Sequence, residues 1–402
     1  MRLLSVQTRE SSGRVRLEGK VRYDGDGEEE LLWFDLPAAV SSQLSPSGNP
    51  WLVALLPLAV SLREPVSLDL PVDPVLLDNA RELMDVWHSW YPDRPPVRIA
   101  APASAPSTAG SRGTGLFFSG GVDSFHSLIR HNGPTATTSR ISDLLVMHGA
   151  DIPIADVESF NRLRPRIAEV ASEFGAGMMD IATNLRATRW GRADWPHLSH
   201  GALLIAAGLV IEPRFSRLVI ASSAPYTRLR PYGSHPRTDP LSSTSGLEVR
   251  HDGADLDRPD KILAIASHPV VQRFLRVCWL GRTDTNCGRC PKCLHTMVGL
   301  ELAGMLRHSE TLPRTIDPAA FRGLYLESRS TYPAYDMVKQ FLARSKAAGR
   351  DDLVDLLSGI IARSDRKRFV KESLEGLARR KLIPVTLRDW LIGRLFRRAV
   401  KY

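Results

Sequence analysis

Cysteine and long apolar runs are both scarce in this chain. Only four cysteines occur in 402 residues, and all four lie between Cys278 and Cys293. With no cysteine elsewhere, a disulfide framework joining distant segments is excluded. The longest apolar stretch, 51–62, is interrupted by Pro57. It falls well short of the roughly 20 residues that a membrane-spanning helix needs. The opening MRLLSVQTRESS has no apolar core of the kind that marks a secretory signal. A cytoplasmic protein with no membrane partner is expected.

Most of the chain also lacks any excess of charge. The formal net charge is +9, but the last 40 residues hold thirteen Lys or Arg against four Asp or Glu and account for all of it. The preceding 362 residues are formally neutral. A body that attracts nucleic acid over its whole surface is excluded; a basic tail is what remains. A hydrophobic content of 43% with 24% charged residues is ordinary for a globular protein and rules out wholesale disorder. The length suits two or three domains.

Residues 1–100 read as a small α+β unit. Val15, Leu17, Val21 and Tyr23 alternate with polar residues, Asp24 to Gly27 marks a turn, and 31–34 supplies a returning strand. A helix fits 74–90, with Asp73 as cap, Pro74 at the first position, and Leu77, Ala80, Met84 and Trp87 on one face. Residues 97–100 read as a further strand. The segment 101–115, rich in Pro, Ala, Ser and Gly, reads as a linker. Beyond it the pattern alternates: strands at 116–118, 144–147, 178–182 and 218–221, and helices from 125, over 156–174 and over 201–211. Such alternation predicts an α/β fold, a parallel sheet with helices on both faces. After about 300 the chain reads as helical. Thr386 is placed to cap a last helix with an apolar stripe of Leu387, Trp390, Leu391 and Leu395, and with Arg388, Arg394, Arg397 and Arg398 largely off it. The expected divisions are 1–113 for an N-terminal α+β domain and linker, 114–305 for the α/β domain, and 306–402 for a basic helical region.

Two motifs carry chemistry. The first is Ser119-Gly120-Gly121-Val122-Asp123-Ser124, after a strand and before a helix. The two glycines let the backbone turn tightly and bring N–H groups onto phosphate oxygens. The helix start adds partial positive charge, and the hydroxyls donate further bonds. Asp123 suits Mg²⁺ or a bracing role. The spacing and lysine of a Walker loop are absent. The second motif is Cys278-x8-Cys287-x2-Cys290-x2-Cys293. Four thiolates satisfy tetrahedral Zn²⁺, and a closed four-sulfur shell is structural. An iron–sulfur cluster stays open on sequence alone. A catalytic zinc is the weaker reading, with His295 the only nearby spare ligand. Arg289 and Lys292 would offset part of the excess negative charge.

The first motif resembles the PP-loop of the N-type ATP pyrophosphatases, which split ATP between the α- and β-phosphates. Taken with the cysteine spacing, the segment from about 115 to 300 resembles the 7-cyano-7-deazaguanine synthases (QueC-like enzymes). Three weaker matches fall between in the same order. Met147-His148-Gly149-Ala150 stands where that family has Asp-Tyr-Gly, His200-Gly201 where it has Pro-Gly-Arg-Asn, and Asp260-Lys261 matches an Asp-Lys pair. The resemblance implies the PP-loop fold and an AMP-forming carbon–nitrogen ligase that adenylates a carboxylate, that of 7-carboxy-7-deazaguanine in the family. It implies ATP, held by residues 119–124 and by Met147, His148 and Gly149, with Mg²⁺ and structural Zn²⁺. Asp123 and Lys261 become the candidate catalytic residues, the latter neutralising charge on the α-phosphate.

The missing Arg-Asn pair puts the substrate in doubt. His200, Gly201, Ser234, His235, Arg237 and Asp239 are the candidates to contact it, the last four within a long polar segment over 226–260. The added regions at both ends resemble those of QueC-like proteins in antiphage defence operons. They make a protein or nucleic-acid amine an expected alternative to ammonia as nucleophile, with the basic tail as the place for such a partner. A tRNA- or nucleic-acid-modifying PP-loop enzyme, and a nucleotide-binding subunit without catalysis in a larger assembly, are the alternatives.

Overall fold

The computed structural model describes residues 1–105, 112–134, 136, 139–278, 285–322, 324–326 and 334–396. The chain divides into two compact units, 1–257 and 258–402.

The first unit is built on one ten-stranded sheet. Its strands are β1 (Arg2–Ser11), β2 (Arg14–Arg22), β3 (Glu29–Pro37), β4 (Val66–Leu68), β5 (Ile99–Ala100), β6 (Gly113–Phe117), β7 (Asp143–His148), β8 (Gly177–Thr183), β9 (Phe215–Ala221) and β10 (Glu248–Asp252), in the order β10-β9-β6-β7-β8-β3-β2-β1-β4-β5. From β10 to β8 every pairing is parallel. The α/β class and the parallel strand run are therefore as the alternating pattern predicts.

The N-terminal strands form an antiparallel meander of β1, β2 and β3. The expected alternation holds there, for Val15, Leu17, Val21 and Tyr23 are all buried. Gly19 interrupts it for a reason of space: a Cβ there would lie 2.5 Å from the Trp51 ring. The meander is not a separate sheet. β3 pairs antiparallel with β8 through Phe34 and Asp35. Where the ladder ends, Asn184 continues it with its side chain, accepting from the Trp33 N–H at 2.9 Å and donating to the Leu31 carbonyl at 2.8 Å. Arg14 closes the seam with 2.6 Å bonds to both Asp35 and Asp180. The expected boundary at 113/114 thus falls inside β6, one residue into a strand of a continuous sheet.

Helices α1 (Asn49–Leu62) and α2 (Pro74–Trp90) belong to the same unit. Asp73 caps α2 as predicted, accepting from Val75 and Leu76. Helix α1 carries Pro57 in its interior and is buried from Asn49 to Val60. Between the parallel strands run α3 (Val122–Asn132), α4 (Val157–Glu173, capped by Asp156) and α5 (His200–Leu209).

The second unit is helical: α6 (Arg258–Ile265), α7 (Pro269–Phe274), α8 (Pro291–Leu302), α9 (Ala334–Ala347), α10 (Asp351–Arg379) and α11 (Val385–Phe396). Helix α11 starts one residue before Thr386, with the Arg388 N–H bonded to the Pro384 carbonyl, so Thr386 is inside the first turn rather than its cap. Leu387 and Trp390 of the expected stripe are exposed. Arg397, Arg398 and the side chain of Leu395 lie outside what the structure describes. Among the described residues no helix is long and apolar enough to cross a membrane.

Candidate active site and metal centre

In chain order the five parallel strands are β6, β7, β8, β9 and β10, and in space β6 lies between β9 and β7. The connections therefore diverge at the β6/β9 border. In open parallel sheets the crevice outside the carboxyl ends of the strands, at such a reversal point, is where ligands bind. The Ser119–Ser124 motif directly follows β6, at the carboxyl end of the strand beside that border.

Its local structure follows from its residues. Gly120 takes φ +75°, a left-handed conformation that favours glycine. Helix α3 begins at Val122, which puts Asp123 in the first turn. Ser119 is exposed, and its hydroxyl oxygen accepts from the Gly121 N–H at 3.3 Å. Ser124 donates to the Gly121 carbonyl at 3.1 Å and braces the loop from within the helix. First-turn N–H groups have no acceptor inside a helix and face an incoming anion.

A buried carboxylate anchors this helix. Asp252, the last residue of β10, accepts from the Ser127 hydroxyl of α3 at 2.7 Å, and His131 Nε2 is 3.4 Å away. Its carbonyl accepts from the Ser222 N–H just beyond β9. Burial alone would raise the Asp252 carboxyl, but the bonds from His131 and Ser127, with the charges of His131 and Arg130, outweigh it and bring it down to about 2. A carboxyl lowered in the folded state stabilises above its unfolded value of 3.8 and loses that contribution as pH falls through about 2. Acid titration of the wild type followed by circular dichroism should thus show a loss of about 2 kcal/mol between these pH values, and Asp252→Asn should remove it. An identical acid limb in both proteins would contradict the anchor.

The remaining candidates of the first unit sit on the same carboxyl edge. Gly149 follows β7 with φ +98°, and a Cβ there would be 2.0 Å from the Thr183 carbonyl oxygen. His148 turns into the fold: its ring stacks on Phe160 at 4.4 Å, and Nε2 is 3.0 Å from the Pro153 carbonyl. Burial lowers its pKa. Met147 is half-buried.

His200 and Gly201 start α5 and meet the loop after β9. The Gly201 N–H donates to the Gly233 carbonyl at 2.8 Å, and a Cβ on Gly201 would lie 3.1 Å from Asp239 Oδ1. Asp239 is buried and accepts from the Ser234 hydroxyl at 2.6 Å and from the His235 N–H at 3.1 Å. The fold brings these five predicted residues together. Arg237 is joined to them through its own N–H, which donates to His235 Nδ1 at 2.9 Å, while its guanidinium pairs with Glu82.

Several residues escaped the sequence reading. Trp195 and Tyr232 flank His200, at ring separations of 5.6 and 5.4 Å, and Arg186 covers Trp195 at 4.0 Å. Trp195 opens a single π-type turn ahead of α5, a feature frequent at functional sites. His200 Nδ1 is buried with no hydrogen-bond partner among the described residues. Burial lowers the pKa of both His200 and His235. A lowered pKa favours the neutral imidazole, which can both donate and accept. The signal for β10 was hidden by its charged residues, Glu248-Val-Arg-His-Asp252.

Lys261 and the cysteines belong to the second unit. Lys261, on α6, is buried, and its neighbour Asp260 pairs with Arg344 at 2.8 Å. The four cysteine sulfurs lie within 4.8 Å of one another. Cys287 and Cys293 are 3.9 Å apart, Cys278 and Cys290 4.0 Å. A tetrahedron with Zn–S of 2.3 Å requires edges of about 3.8 Å, so the donors fit a four-thiolate zinc site, whereas a disulfide requires about 2.05 Å. Asn286 shapes the pocket: its carbonyl oxygen accepts from the N–H groups of Val277 and Cys278, and its amide donates to the Leu275 and Thr311 carbonyls. Gly288 supplies the turn between ligands with φ +69°. Cys290 caps α8, its sulfur accepting from the Cys293 N–H at 3.5 Å. His295 is buried and stacks on Phe341 at 6.0 Å, packed in the helical core.

Comparison with protein-family models, with curated proteins and with solved structures gives no match.

Proposed function

We propose that the chain is an ATP-dependent, AMP-forming ligase that adenylates a carboxylate and passes it to a nitrogen nucleophile. One observation carries the reading: the Ser119–Ser124 motif stands at the carboxyl end of β6, where the strand order reverses. In this reading the loop N–H groups and the Ser119 hydroxyl hold the phosphates that leave as pyrophosphate. Asp123 would hold Mg²⁺, which would supply neutralising charge there. Asp252 and Ser124 keep the loop and its helix in place.

The acid lies beside Trp195, His200 and Tyr232. Flat rings and neutral imidazoles suit a flat heteroaromatic acid, and the resemblance to the QueC-like enzymes makes 7-carboxy-7-deazaguanine the first choice. A carboxylate oxygen attacks the α-phosphorus and pyrophosphate leaves; nitrogen then attacks the acyl carbon and AMP leaves. Ammonia is the simplest acceptor. A nitrogen on a protein or nucleic acid is the second reading, favoured by the +9 concentrated in the last 40 residues, and with it a role in antiphage defence.

Release of AMP and pyrophosphate from ATP, screened with deazapurine and other aromatic acids, tests the proposal. Wild type should show acid-dependent release, and Asp123→Ala should lower it roughly 100- to 1000-fold. If the two proteins behave alike across the screen, the chain is a nucleotide-binding subunit and the ligase reading falls.

A further inference from the structure

We infer that Asp239 and His251 form a dyad whose imidazole takes the proton released when nitrogen attacks the activated acyl group, an inference that rests on the ligase reading above. His251 is one residue from the end of β10, and its Nδ1 is 2.7 Å from Asp239 Oδ2. Both side chains are nearly buried, at 4% and 3% exposure. Asp239 cannot swing away: Ser234 holds the same oxygen at 2.6 Å, and the His235 N–H holds the other at 3.1 Å. A carboxylate only accepts, so Nδ1 of His251 donates. The neutral ring then carries its lone pair on Nε2, and the carboxylate fixes this tautomer.

Two placements connect the dyad with the proposed chemistry. Asp239 packs against Gly201 at the start of α5, beside His200 and its flanking rings. His251 directly precedes Asp252, which grips the phosphate-loop helix through Ser127. A single strand end therefore carries both an anchor of the loop and the base. Val249, two residues earlier on β10, is buried at 1% exposure.

The step balances as follows. The acceptor nitrogen forms the C–N bond, and the C–O bond to AMP breaks with its electron pair remaining on the phosphate oxygen. One N–H proton passes to Nε2, and Asp239 stabilises the imidazolium until solvent removes that proton.

The test uses the full-length protein, with 7-carboxy-7-deazaguanine as acid and ammonium chloride as nitrogen source. Exchange of labelled pyrophosphate into ATP reads activation, and amide formation reads the transfer. In His251→Gln, amide formation should fall about 100-fold or more and exchange by no more than about tenfold. Added imidazole should restore amide formation to His251→Ala. Asp239→Asn, which keeps its size, should show the same split and guards against misfolding of the ring variants. Equal losses in both readouts, or no rescue in a folded His251→Ala, would make the pair structural and overturn the inference. Absence of exchange in the wild type would instead bring down the ligase reading, and the dyad's role with it.

Discussion

Replacing Cys293 by serine, or stripping the cysteine cluster with a strong chelator, is expected to melt the second unit while leaving the sheet of the first intact. The reason is the small amount of other structure around the cluster. Cys278 follows α7, Cys287 and Gly288 form a turn, and Cys290 and Cys293 open α8, so the sulfurs join segments that little regular backbone bonding connects. Four-thiolate zinc binding is worth about 10 kcal/mol or more, all of it dependent on the folded arrangement. A serine ligand gives up a large part of this. For a unit of this size a loss of 3–5 kcal/mol corresponds to a drop of roughly 10–20 °C in its melting temperature. Hydrogen exchange read by mass spectrometry separates the units. Amides of α8 should lose protection in Cys293→Ser, and those of β6 to β9 should keep theirs. Elemental analysis should find one zinc per chain. Iron with inorganic sulfide would replace zinc by a cluster, and an unchanged α8 in a metal-free protein would refute a structural metal altogether.

The second large effect is expected at Gly149. Alanine there meets two penalties together. A φ of +98° lies in a region that side-chain-bearing residues rarely adopt, and the added Cβ would stand 2.0 Å from the Thr183 carbonyl oxygen. That oxygen is backbone at the end of β8 and cannot rotate away. Relief requires the carboxyl ends of β7 and β8 to part, the same edge that presents the Ser119–Ser124 loop. The cost is expected to be roughly 3–5 kcal/mol, combining backbone strain with overpacking. Gly13 is the control: its φ is +74° but none of the described residues lies within 4 Å of a Cβ there, so alanine should cost only about 1–2 kcal/mol. Urea denaturation of both variants measures the contrast. Similar midpoints would mean that the Gly149 turn relaxes freely, and that the edge is softer than its contacts indicate.

The chemistry-bearing motifs were legible in the sequence because each is local. Strand, Ser-Gly-Gly-x-Asp-Ser and helix follow one another without a gap, and the cysteines are clustered by their own spacing. Helix α2 and its Asp73 cap follow from an apolar face with a defined start. Helix α1 was invisible for the converse reason: apolar on all sides and buried from Asn49 to Val60, it has no face to betray its period. The joining of the meander to the parallel sheet was equally hidden. It depends on β3 meeting β8, about 150 residues away, and on an asparagine side chain that imitates a strand. Buried polar contacts tie the same regions together, with Asn49 donating to Glu212 at 2.9 Å and Glu212 accepting from Thr244 at 2.6 Å. At the site, Ser234 and Asp239 could be picked out from a polar segment, but His251 could not, because only the folded sheet places it against Asp239.

In the proposed reaction a carboxylate oxygen attacks the α-phosphorus of ATP. An acid labelled with ¹⁸O in its carboxylate follows that bond directly. After complete turnover with 7-carboxy-7-deazaguanine and a nitrogen acceptor, mass spectrometry should find one labelled oxygen in AMP and none in pyrophosphate. Unlabelled AMP, or label recovered in inorganic phosphate beside ADP, would rule out that attack.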